Sequence, residues 1–135
     1  MATKSMAYDN ASYVSRLGAC LGEAGGAATT QYGKFAAFTN ALAFSAQVTV
    51  TTAGTATTHG FSIIRISGTA TTTLATTTLG TAAAGTTVNV ALSTAAGGTP
   101  INQGDVLAAL SLADAVGKAA VTYEYGLQPG ATVTA

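Results

Sequence analysis

From Phe35 onward, apolar and polar residues alternate in short runs that stop at glycine-bearing turns. Residues 45–52 place Val48 and Val50 on one face and run into the Ala53-Gly54 turn. Residues 59–66 are rich in β-branched side chains and close at Ser67-Gly68-Thr69. Residues 71–79 end at Gly80, and a further turn is marked by Gly85. Val88, Val90 and Leu92 share one side of the next run, 86–92. Residues 105–112 follow Gln103-Gly104, residues 118–125 follow Asp114-Ala115-Val116-Gly117, and a last short strand is expected over 131–134. Residues 35–44 are apolar with no set period. Residues 102–112 have a helix-like start at Gly104-Asp105, but their Leu110-Ser111-Leu112 end favours a strand. Period-two alternation, Thr and Val enrichment and regularly spaced turns predict an all-β chain. About seven or eight strands in about 100 residues suit an antiparallel β-sandwich of jelly-roll or immunoglobulin-like form.

Residues 1–33 read differently. They hold Tyr8, Tyr13 and Tyr32, the charges Lys4, Asp9, Arg16 and Glu23, and the glycines Gly22, Gly25 and Gly26. Residues 11–17 have the makings of one or two helical turns, but Gly18 and Gly22 interrupt them, and glycine inside an element costs about 0.5–1 kcal/mol. The expected organisation is therefore an irregular, extended N-terminal arm over 1–33 followed by a sandwich domain over 34–135. Tyrosine and arginine are enriched where surfaces meet a partner. Tyr8, Tyr13, Arg16 and Tyr32 are accordingly the candidate contact residues of this arm.

Composition sharpens the picture. Only 7% of the 135 residues are charged, five of each sign, where a soluble domain carries about 25%. Roughly two residues in five are Ala or Thr, and the mean hydropathy is positive. A surface so poor in charge is suited to being covered by other subunits. Net charge near zero argues against nucleic-acid binding, which needs a surplus of Lys and Arg. No run of about 18 apolar residues is present, so no membrane-spanning helix is expected. The first ten residues lack the apolar core of a signal peptide, and Cys20 is the single cysteine. Both features lead to the expectation of assembly in a reducing cytoplasm, with Cys20 a small buried apolar residue.

Chemistry is thinly provided. The one histidine, His59, has no Gly-x-Ser-x-Gly elbow to serve and is expected as a surface or interface ring. One His and one Cys do not make an ordinary zinc site. The carboxylates Asp9, Glu23, Asp105, Asp114 and Glu124 form no motivated pair for glycosidase chemistry. The Gly22-x-x-Gly25-Gly26 cluster lacks the Lys-Ser/Thr of a phosphate loop. The chain is therefore expected to be no enzyme and to use no cofactor or metal. Arg65 among Ile63, Ile64 and Ile66, and Glu124 between Tyr123 and Tyr125, each need a partner or water, and are expected to form a structural ion pair, either within one subunit or across an interface. Asp105 and Asp114 look like turn residues that bond nearby backbone N–H groups. The Thr blocks at 57–58, 71–73 and 76–78 follow no constant period, so they read as the exposed sides of strands and not as a solenoid array.

One resemblance rests on particular residues. The order runs Gly80-Thr81-Ala82-Ala83-Ala84-Gly85-Thr86, Ile101-Asn102-Gln103-Gly104-Asp105-Val106-Leu107, and Asp114-Ala115-Val116-Gly117. It closes with Val121-Thr122-Tyr123-Glu124-Tyr125 and Pro129-Gly130-Ala131-Thr132-Val133. Over about residues 45–135 this is similar to the jelly-roll-like capsid decoration, or cement, proteins of tailed bacteriophages. The resemblance implies a virion protein on the outside of an icosahedral shell, bound to the major capsid protein. It also implies homotrimers at three-fold positions that brace neighbouring capsomers. A receptor- or glycan-binding module of a phage fibre or tail is the alternative, with Tyr123 and Tyr125 as its only late aromatic platforms.

Overall fold

The computed structural model describes residues 15–92, 98–113 and 116–127. Among them are β1 (Ser15–Gly25), β2 (Gln31–Ala36), β3 (Ala41–Thr52), β4 (Gly60–Ser67), β5 (Ala70–Thr78), β6 (Thr87–Ala91), β7 (Thr99–Ile101), β8 (Val106–Leu112) and β9 (Lys118–Leu127), with no helix. One sheet has the order β1-β9-β3-β6, with β7 also on β3; the other is β2-β8-β4-β5. Every pairing is antiparallel. The protein is an antiparallel β-sandwich, as its alternation predicts. Its pairing is nested: β1 with β9, β2 with β8, β3 with β6 and β7, β4 with β5. Strands β6 and β7 share one edge of β3, where residues 45–49 face β6 and residues 41–43 face β7.

The inward faces follow from the period of two. Val48 and Val50 of β3, Val121 and Tyr123 of β9, Phe61 and Ile63 of β4, and Leu107 and Ala109 of β8 all lie in one buried cluster. Val88 packs against that cluster, and Leu92 belongs to it. Residues 105–112 contribute a strand, not a helix. The unperiodic stretch 35–44 proves to be the end of β2, a turn and the start of β3. The strand expected over 131–134 lies outside the described residues.

The expected boundary at residue 33 does not hold. β1 pairs with β9 from Ser15↔Leu127 to Gly25↔Lys118, and β2 pairs with β8 from Gln31 on. Each of these strands forms an edge of its sheet. The glycines misled because backbone pairing with β9 offsets their entropic cost. The register slips by one residue between Cys20 and Glu23, which places Leu21 and Gly22 in a bulge where glycine is at home. Gly25 is required for close approach: a Cβ there would sit 2.3 Å from the Gly117 carbonyl oxygen, and its φ is +125°.

His59 is also placed differently from the sequence reading. It is 1% exposed, and its ring meets the Phe61 ring edge-on at 5.4 Å. Its backbone holds it there. His59 N–H donates to Ala56 O, while its carbonyl accepts from the Leu79 and Gly80 N–H groups. Gly117 leaves the space the ring occupies, since a Cβ on it would stand 2.5 Å from His59 Nε2.

Candidate interaction surfaces

The outward face of the β1-β9-β3-β6 sheet is polar. Gln47 Nε2 donates to Asn89 Oδ1 at 3.2 Å, and the Thr49 and Thr87 hydroxyls meet at 2.9 Å. Thr51 donates to Glu23, whose other oxygen lies 3.8 Å from Lys118 Nζ. Both charged side chains of that pair are about half exposed, so the pair contributes little, about 0–1 kcal/mol. A shallow groove of about 510 Å³ runs over this face between Gly18, Ser45, Gln47, Asn89, Thr122 and Glu124. Its lining carries one carboxylate and no cation.

The other sheet is apolar along its two central strands on both sides. By alternation with the core residues, Ile64 and Ile66 of β4 and Val106, Ala108, Leu110 and Leu112 of β8 face outward. Ile64 and Ala108 at the centre are buried, while Ile66, Val106, Leu110 and Leu112 are partly exposed. Antiparallel sheets of a lone domain turn a polar side to water. This one does so at its two edges, at β5, where Thr71, Thr73, Thr76 and Thr78 are exposed and Thr76 meets the Ser62 hydroxyl, and at β2, where Gln31 and the exposed Lys34 stand.

A third feature is the turn between β2 and β3. Phe38 at its tip is 91% exposed. The turn is tied to the one before β8: Ala37 N–H donates to Asp105 O, and Gly104 N–H donates to Ala37 O. Gln103 N–H donates to Asn40 Oδ1 at 2.9 Å. Asp105 caps its own turn as its sequence position predicts, with Oδ2 accepting from Asn102 N–H at 3.0 Å. Beside Phe38 lies an apolar groove of about 230 Å³ lined by Phe35, Ala36, Ala37, Thr39, Ala41, Tyr125 and Leu127. The Phe35 and Tyr125 rings form part of its wall, 4.8 Å apart.

The residues singled out in the sequence are dispersed by this architecture. Tyr8 and Tyr13 lie outside the described residues, and so does Asp114. Arg16 enters β1 opposite Gly126. Tyr32 stands on β2 opposite Ala109 and is half-buried against the core, so it packs the sandwich. The expected Arg65–Glu124 pair does not form within the chain. Arg65 alternates with Phe61 and Ile63 on the inner side of β4, and its Nη1 donates to Pro100 O in β7 at 3.1 Å. It thus links the two sheets at the rim of the sandwich. Glu124 alternates with Tyr123 and Tyr125 on β9 and lines the outward polar groove. The sheet itself stands between the two charges. Stability losses from Arg65→Met and Glu124→Gln are therefore expected to add within about 0.5 kcal/mol in a double-mutant cycle. A coupling above about 1 kcal/mol would mean that they interact after all.

Among the described residues, no three of His, Cys, Asp and Glu gather where they would hold a metal ion. No helix there is long and apolar enough to cross a membrane. Comparison with protein-family models, curated proteins and solved structures finds no match to this chain. Its surfaces must be read on their own chemistry.

Two of those surfaces carry signals in the sequence that alternation alone does not reveal. The pairs Ile63-Ile64 and Ala108-Ala109 break the alternation in otherwise regular strands, as residues on a sheet covered on both faces do. Phe38 stands one residue before Thr39-Asn40, a turn pair that forces a bulky ring to the tip of a loop.

Proposed function

We propose that this protein is a structural subunit of a tailed-phage virion, a decoration or cement protein on the outer surface of an icosahedral shell. The observation that carries the reading is the apolar outward face of β4 and β8, set in a chain with 7% charged residues. The centre of this face, Ile64 and Ala108, is buried within the chain, and its partly exposed margin, Ile66, Val106, Leu110 and Leu112, is an apolar patch of the kind that marks contact with another surface. The strand order supports the jelly-roll form of the sandwich. With β7 set aside, the orders 1-9-3-6 and 2-8-4-5 are those of a long hairpin rolled into two sheets. In this reading the major capsid protein is one partner and further copies of the chain are the other, arranged as homotrimers that brace neighbouring capsomers.

The glycan-binding alternative is weakened by its own candidate residues. Tyr123 is fully buried and Tyr125 packs against Phe35, so neither ring is a platform on the polar face. Shells assembled without this protein test the proposal. Added purified protein is expected to co-sediment with them to a saturable stoichiometry and to raise the temperature at which they open. Absence of binding at saturating concentration would sink the capsid reading.

A further inference from the structure

We infer that copies of this chain join through Phe38, the ring of one copy seated in the apolar groove of the next. The inference rests on the self-association part of the reading above and not on its shell. Phe38 is a preformed knob, 91% exposed at the tip of a turn that Ala37, Gly104 and Asn40 bind to the turn before β8. Ordering it on association therefore loses little conformational freedom. The socket lies beside it. Phe38 forms one rim of that groove, but so exposed a ring does not fill it.

Size and chemistry both fit an aromatic ring from outside. A dry apolar cavity of about 150 Å³ accepts benzene, and this groove has about 230 Å³. Its small residues, Ala36, Ala37 and Ala41, leave the depth, while Phe35 and Tyr125 offer rings to pack on. No charged side chain lines it. The occupant is a second copy. Knob and socket occur together on one chain, so each copy supplies what the other lacks. Equal numbers of positive and negative side chains, five of each, set no net repulsion between copies.

The groove also continues into a larger surface. Ala36 pairs with Val106, and Val106 belongs to the outward apolar face of β8 and β4. A knob alone is too small for a stable interface, which needs about 800 Å² per partner. The adjoining face supplies further area to cover. One knob and one socket per copy close into a mutual pair, or into a ring of three, with none left unfilled.

Sedimentation velocity on the full chain at tens of micromolar tests this with two variants at exposed positions. Phe38→Ser removes the knob, and Ala36→Trp fills the socket. Circular dichroism checks that each retains the β fold. The wild type is expected to sediment as a dimer or trimer, and each variant alone to weaken association at least tenfold. An equal mixture is expected to recover association, because the Ala36→Trp copy still offers Phe38 to the open socket of the Phe38→Ser copy. A wild type that stays monomeric would overturn both this contact and self-association in solution. A Phe38→Ser protein that associates like the wild type, or a mixture without recovery, would overturn the contact alone and leave association to another surface.

Discussion

Deleting residues 2–30 is expected to abolish the cooperative β-type thermal transition of this protein. Such a deletion removes β1, which pairs with β9 over its whole length, and with it the buried Ala24. It also removes the entry to β2, where Thr29 N–H donates to Ser111 O and Thr30 O accepts from Ser111 N–H. Strand β9 would then be an unprotected edge carrying the inward residues Val121 and Tyr123. The total stability of an ordinary domain is only about 5–15 kcal/mol, which leaves little margin for losing a whole paired strand and exposing the edge of the next. Far-UV circular dichroism during heating reads the outcome. A deletion variant that melts sigmoidally from a β spectrum would return these residues to the status of a dispensable arm.

Tyr123→Ala is expected to be the costliest single substitution on β9, at about 3–5 kcal/mol in denaturant unfolding. Tyr123 has no solvent exposure, and its ring lies 6.4 Å from that of Phe35. Truncation would leave a large cavity between the sheets, which rigid strands on both sides fill poorly. The same substitution separates two functional readings. A tyrosine serving as a surface platform for sugars would cost no more than about 0.5 kcal/mol when truncated, as exposed positions usually do. A loss that small would reopen the glycan-binding alternative.

The sandwich was legible in the sequence because alternation is a local signal. In β3, β6 and β9 one side of each strand is apolar, and a period of two needs no knowledge of the partner strand. β1 was not legible for the opposite reason. Its glycines lower its intrinsic preference, and what makes it a strand is the backbone of β9, about a hundred residues away in the chain. The three-residue β7 is too short to carry a period, and it exists because it completes the edge of β3 beyond β6. Arg65 shows the limit for charges. Its strand and neighbours were evident, but its acceptor is a backbone carbonyl on the other sheet, which side-chain inventory does not reveal. His59 was misplaced because its burial depends on Gly117, a residue whose lack of a side chain makes room for the ring.

The interaction surfaces were legible only as a general need for cover. Low charge and positive hydropathy pointed to a subunit among subunits, while the particular faces emerged from topology. Two apolar strands, β4 and β8, lie side by side at the centre of one sheet, so their outward residues merge into a single face. Phe38 becomes a knob because two turns distant in sequence are bonded to each other. Neither fact is local.

An electron-microscopy reconstruction of the assembled particle decides whether this protein is a decoration subunit. Density of the size of this sandwich is expected on the outside of the shell, in groups of three between capsomers, with the β4–β8 face turned toward a neighbour. Density for the chain in a tail fibre, or a shell whose outer surface lacks it altogether, would contradict the claim that this protein is a decoration subunit.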